Sequence, residues 1–223
     1  MATAHAPARR KKHRSNVLDN GRQPTWDLVR YLPHQGEWTE DEYLELEGVF
    51  GNHIRAELVD GRLEVLPVPT DPHQLIMVYL WKCLDLFIAV HAPGVALVSG
   101  TRVRLVLRTG IQFREPDVVY MSARNAGRRR KEFWNAADLV MEVVSGSSAD
   151  RKRDWVEKVK EYAAAGIPEY WIIDPKKKVI RVLSLRGKSY RRHDDFKPGD
   201  EATSVLLPGF AVAVDAVFAA AEV

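Results

Sequence analysis

The spacing of apolar and polar positions divides the chain into helical and strand-like stretches. Thr39 and Glu42 form a capping-box pair ahead of Tyr43, Leu44 and Leu46, which predicts a short helix ending near Gly51. Residues 54 to 68 then alternate in character around Asp60-Gly61, the pattern of a hairpin with a two-residue turn. Counting back from that turn sets Val59 against Arg62, Leu58 against Leu63 and Glu57 against Glu64. Ile54, Ala56, Leu58, Leu63 and Val65 share one face; Arg55, Glu57, Arg62 and Glu64 share the other. Two glutamates directly opposite repel unless Arg55, Arg62 or a metal ion offsets them. On the residues alone, Glu57 is as well read as part of a solvated hairpin face.

Asp71, Pro72 and Gln74 have the spacing of an N-cap, a first helical residue and an N3 residue, and predict a helix to about residue 90. Its stripe of Ile76, Leu80, Leu84 and Phe87, flanked by Met77, Trp81 and Ile88, predicts packing on a sheet. His73 lies on the same side, as a core or cap histidine or as a helix-end contact to substrate phosphate. Residues 95 to 107, alternating with Arg102, Arg104 and Arg108, read as one strand, and 111 to 120, with Asp117 near its far end, as a second. Residues 139 to 144 are apolar on both faces apart from Glu142, the mark of a central strand. Ser147 and Asp150 can cap a helix over about 149 to 165 on which Asp154, Lys158 and Tyr162 share a face. Gly166 and Pro168 end it; strands follow at 169 to 174 and 179 to 185, then a last short helix that Asp215 can cap. Helix, three strands, helix and two strands make a mixed α/β fold with helices on the sheet.

With 46% hydrophobic and 28% charged residues, the 223-residue chain has the composition of a globular protein with a substantial core. The formal charge of +3 is unevenly placed: residues 1 to 22 carry +5, and the rest of the chain −2. Nucleic-acid binding therefore does not follow from net charge alone. Residues 1 to 23 lack apolar periodicity and read as a disordered basic arm, either solvated or in contact with phosphate; 24 to 223 read as one domain. The single cysteine, Cys83, excludes an intrachain disulfide framework and reads as a buried small hydrophobe. No uninterrupted apolar run reaches the ~20 residues of a membrane span, so the expectation is a cytoplasmic protein without a membrane partner.

Two acids change this picture. Asp117 opens the run Val118-Val119-Tyr120, and Glu142 interrupts Leu139-Val140-Met141 and Val143-Val144. An unpaired buried carboxylate is costly, and burial raises its pKa toward the neutral form. If the two meet, they require a cation. Otherwise Asp117 is a strand-end carboxylate, Glu142 a buried salt-bridge partner of Lys158, and Asp154 with Lys158 an ordinary surface ion pair. Arg128-Arg129-Arg130-Lys131 reads as a solvated loop or, beside a site, as a phosphate track.

Glu57-Leu58-Val59-Asp60-Gly61, His73 after a proline, Glu115-Pro116-Asp117-Val118-Val119, Asp138 through Ser145, the Asp154, Lys158, Tyr162 series, Gly166 through Trp171 and Leu207-Pro208-Gly209-Phe210 follow one another in an order that resembles the Uma-two family. The resemblance covers about residues 38 to 218 and implies a restriction-endonuclease-like PD-(D/E)XK fold and endonuclease activity on DNA. It implies that Asp117 and Glu142 are the paired acids and that Glu57 is an early acidic member of the site. Where the superfamily pattern has its lysine, this chain has Val144, and Lys158 one helix later looks like the replacement. Ser145 matches the family, although Gly146 stands where a proline often follows. Magnesium, or manganese in its place, would be held by Asp117, Glu142 and the Val143 carbonyl, with Lys158 acting on water or transition state. His73, Ser145 and Arg102 are the candidates for substrate contact. Related nucleases often act as homodimers; no interface stripe in this chain argues for one. The rival reading is a catalytically inactive nucleic-acid-binding or regulatory domain of the same fold, and a further one an interaction module with neither metal nor DNA.

Overall fold

The computed structural model describes residues 35–50, 55–145 and 148–222, all within one compact unit, His34–Val223. The basic arm, Ile54 and the Ser147 cap lie outside the described residues. Helix α1 (Glu40–Phe50) starts at the expected capping box: Thr39 Oγ1 accepts the Glu42 N–H at 3.3 Å, and Glu42 Oε2 accepts the Thr39 N–H at 3.2 Å.

Strands β1 (Ala56–Val59) and β2 (Arg62–Val65) pair in the register read from the turn, Glu57 opposite Glu64 included. Asp60 and Gly61 adopt φ of 46° and 69°, the left-handed pair that such a turn needs. The Gly61 carbonyl also accepts the N–H groups of Gly36 and Trp38 at 2.7 and 3.0 Å, and a Cβ on Gly61 would stand 2.5 Å from the Gly36 oxygen. Gly61→Ala is therefore expected to cost roughly 2–4 kcal/mol through the positive φ and the backbone clash. A fall in the urea midpoint without a change in slope would show it.

Helix α2 (Asp71–His91) begins at the expected cap residue itself, one position early: Thr70 is the N-cap, with extended φ/ψ, and Asp71 and Pro72 are the first helical residues. Thr70 makes no side-chain cap bond; its carbonyl accepts the Gln74 N–H at 3.0 Å. By length and composition α2 would be long and apolar enough to cross a membrane, but here Ile76, Met77, Leu80, Leu84 and Ile88 are buried in a core shared with sheet residues. Cys83, half-buried, packs on the margin of that core.

Each of the two long strands expected over 95–107 and 111–120 is two. β3 (Gly94–Val98) breaks at Ser99 and Gly100, both at positive φ, before β4 (Val103–Leu107). β5 (Gly110–Arg114) breaks at Glu115-Pro116 before β6 (Val118–Ser122). The chain thereby changes sheet twice. One sheet has the order β2-β1-β5-β4. The other runs β10-β9-β8-β7-β6-β3, with β7 (Leu139–Val143) and β8 (Glu169–Asp174) parallel at its centre and β9 (Val179–Arg186) beside them. Strand β10 (Ser189–Phe196) and the small pair β11 (Glu201–Thr203) and β12 (Ala211–Ala213) were not expected.

The central strands of the six-stranded sheet, β7 and β8, are buried on both faces. Leu139, Met141 and Val143 of β7 join the core under α2, while Val140 and Val144 join a second core with Val103, Leu105, Trp134 and Tyr162. Helix α5 (Val214–Ala219) closes the first core; its N-cap is Ala213, and the Asp215 carboxylate instead accepts the Gly199 N–H at 2.6 Å.

Candidate active site

Side chains alternate along a strand, so Glu142 projects to the same side as Val140 and Val144. The register pairs Val118 with Met141 and Val119 with Val140 across β6 and β7. One step further the same register sets Asp117 opposite Glu142, on the same face as Val119. Asp117 does not belong to the strand but continues its bonding through its side chain: Oδ2 accepts the Val143 N–H at 2.8 Å.

Glu142 is 4% exposed and Lys158 3%. Lys158 Nζ lies 2.8 Å from Glu142 Oε1, and the Tyr162 hydroxyl donates to the same oxygen at 2.7 Å. Asp154 Oδ1 is 3.4 Å from Lys158 Nζ, so this i,i+4 pair faces inward. The helix carrying them reads α3 (Ser148–Lys152), a π turn (Arg153–Glu157) and α4 (Lys158–Ala164). The π turn falls within the first of the two steps, and Asp154, Lys158 and Tyr162 are all buried. The loosened turn also offers the Asp154 carbonyl to another donor, the Tyr170 hydroxyl, at 2.9 Å.

Burial pushes the Glu142 carboxyl up to about 8; Lys158 pulls it back, and Asp117, Asp154 and Glu57 add to the rise. Asp154 is raised for the same reason, burial. This group of acids draws positive charge from several sides, Lys158 and Arg153 on the helix among them. His73, in the first turn of α2, supplies part of it: Nε2 lies 2.9 Å from the Val143 carbonyl and 3.2 Å from Asp117 Oδ2. Burial lowers the His73 pKa, but the Asp117 contact outweighs it and the net shift is upward. Its Nδ1 is buried without a partner among the described residues.

Glu57 is fully buried, not on a solvated face. Its Oε1 accepts the Glu115 N–H and its Oε2 the Arg114 guanidinium, each at 2.8 Å. The Glu57–Glu64 repulsion is relieved by neither Arg55 nor Arg62. Arg114, fully buried, reaches Glu57, Glu64 and Glu161 together. Arg55 pairs instead with Glu115. Glu57 thus anchors the bend at Glu115-Pro116 that delivers Asp117, and it does not itself line the cleft. Burial would raise its pKa, yet the Lys158 and Arg114 charges hold it below its ordinary 4.5. A lowered folded-state pKa gives stability that is present above 4.5 and lost as pH falls through the folded value. Glu57→Gln should flatten the fall of Tm with pH below that point, measured by thermal denaturation.

Asp117, Glu142, Val143, Ser145, Asp154, Lys158 and His73 line a cleft of about 390 Å³. Of the candidates for substrate contact it includes His73 and Ser145 but not Arg102, which lies beside the Tyr43 hydroxyl. The basic run at 128–131 is exposed and lies apart from the cleft lining. Tyr162 and Arg114 are the residues whose roles the sequence reading missed. A tyrosine one turn after Lys158 on an inward face was the available signal for the first, and an arginine ending a strand beside a glutamate-bearing hairpin for the second.

Among the described residues no three His, Cys, Asp or Glu side chains converge to hold an ion by themselves. Two opposed carboxylates and a carbonyl nevertheless suit a hard cation that keeps most of its waters.

A mixed sheet carrying opposed acids at a strand end, with helices against it, is the restriction-endonuclease-like architecture. The chain belongs to the Uma2 family, described as "Putative restriction endonuclease", whose model matches residues 40–215. Among solved structures it is similar to a protein of Anabaena variabilis ATCC 29413 described as a putative nuclease belonging to DUF820, with a TM-score of 0.62 and 16% identity over 81% of this chain and 97% of that one. At that identity the likeness speaks for the fold. No curated protein matches.

Proposed function

We propose that the protein is a magnesium-dependent endonuclease that hydrolyses DNA phosphodiester bonds, with manganese able to replace magnesium. The observation that carries this reading is the opposition of Asp117 and Glu142 on one cleft face with Lys158 Nζ 2.8 Å from Glu142. Asp117, Glu142 and the Val143 carbonyl are the oxygens that would hold the ion. When bound, it would supply polarisation of the phosphoryl oxygen and a more acidic attacking water.

The chain's own groups account for the rest. Tyr162 and Lys158 both occupy Glu142 Oε1, which fixes the carboxylate's orientation. Lys158 keeps a positive charge at the cleft floor, where it can orient the water and offset charge that builds on the phosphoryl oxygens. His73 holds its Nε2 proton between Asp117 Oδ2 and the Val143 carbonyl and so aligns two of the three oxygens.

The test is nicking of supercoiled plasmid by the full chain in magnesium, in manganese and in EDTA. Cleavage is expected with either ion and not in EDTA, and Asp117→Ala and Glu142→Ala should each abolish it. Folded protein that leaves DNA intact in both ions would return the chain to the inactive DNA-binding reading, and variants that cut as well as the parent would remove the two acids from the mechanism.

A further inference from the structure

The cleft lining combines two chemistries beside its acids. Leu66, Pro67, Val68, Pro69, Pro72 and Ile76 supply an apolar stretch, while Arg151, Arg153 and Lys176 supply a cationic one. Val68 is 90% exposed, more than any other large apolar side chain described. It stands between two prolines, which fix their own φ and hold the residue before each one extended, so the strap from Leu66 to Pro69 is stiff. A single exposed valine needs no explanation. One held on a stiff apolar strap at the edge of a cleft that also contains paired acids does.

Arg151 is held by Asp174, and Arg153 by Asp150 and Asp154. Lys176 has no ion-pair partner among the described residues, and it opens the run Lys176-Lys177-Lys178, in which Lys177 lies over the Trp155 ring. The outside of a DNA duplex is a surface of phosphates and sugars, and an apolar wall pressed against it would strip water from charge without return. An unpaired nucleotide has the complementary shape of chemistry: an apolar base face on one side, a phosphate on the other. A cleft of about 390 Å³ also falls within the ~300–1,000 Å³ range of pockets that enclose small molecules, which gives room for one nucleotide.

We propose that the cleft takes one unpaired nucleotide of single-stranded DNA, its base against the strap from Leu66 to Pro69 and its phosphate on the side of Lys176. This deepens the nuclease reading and rests on it. The substrate class is then single-stranded DNA, or a duplex whose target nucleotide is frayed or flipped out.

The test is fluorescence anisotropy of the full chain with a labelled 12-nucleotide strand and with the duplex of the same sequence, calcium replacing magnesium and the DNA checked intact afterwards. Parent protein should bind the single strand at least about tenfold more tightly. Val68→Ser should weaken single-strand binding about three- to tenfold and leave duplex binding unchanged, and Val68→Phe should strengthen it. The side chain is almost wholly exposed, so neither change disturbs the core. Equal affinity for the two forms, or Val68→Ser weakening both alike, overturns the inference; Asp117-dependent cutting of duplex in magnesium would then show that the nuclease reading survives. Neither DNA bound nor cut overturns both.

Discussion

Lys158→Met is expected to lower magnesium-dependent DNA cleavage by about 10²- to 10⁴-fold, the range associated with a positioned proton-transfer or charge-stabilising group. Its ammonium is the nearest positive charge to Glu142, at 2.8 Å, and the superfamily's usual lysine position is Val144. Methionine keeps the length of the chain and removes the charge. Glu142, already pushed up to about 8, can take a proton and keep its Tyr162 bond, so the fold should survive, as circular dichroism would check. Single-turnover rates separate this outcome from a loss of ion binding. Unchanged rates with Lys158→Met would remove lysine from the mechanism and leave the two acids in place.

Arg114→Met is expected to cost about 3–5 kcal/mol of stability, the penalty for removing one partner of a buried charge network. Three glutamates converge on this guanidinium, and Glu57, fully buried, has no other side-chain cation in hydrogen-bonding contact among the described residues. Its other carboxylate oxygen receives the Glu115 N–H, so a Glu57 side chain displaced on losing Arg114 is expected to loosen the bend that presents Asp117. Urea unfolding at neutral pH measures the cost. A loss under ~1 kcal/mol, typical of an exposed ion pair, would contradict the role given to this network.

Local signals made much of this arrangement legible. The Asp60-Gly61 turn determined the hairpin register by counting alone, because a side-chain period of two leaves no freedom once the turn is known. Glu142 stood out because its neighbours on both strand faces are apolar. The inward aim of Lys158 could not be read, since i,i+4 spacing describes a surface pair equally well. What decides it is the buried Glu142 of β7, which meets the ammonium at 2.8 Å and lies far from it in the chain. Continuous apolar alternation across Ser99-Gly100 and Glu115-Pro116 hid two changes of sheet, because periodicity reports which face is buried but not against which neighbour. Strand β10 escaped because Ser-Tyr-Arg-Arg-His-Asp-Asp-Phe, at the sheet edge, has little apolar alternation to show. Arg114 was visible as a residue and invisible as a hub, since its three partners come from β1, β2 and α4.

The central claim is that Asp117, Glu142 and the Val143 carbonyl form one ion site. Diffraction from crystals of the full chain grown with manganese, recorded for anomalous signal, tests it most directly. The account predicts a peak contacted by both carboxylates and the Val143 oxygen, at the ~2.0–2.2 Å distances of hard oxygen ligands. Saturating manganese with no peak there, and Asp117 still held by His73 and the Val143 N–H, would contradict it.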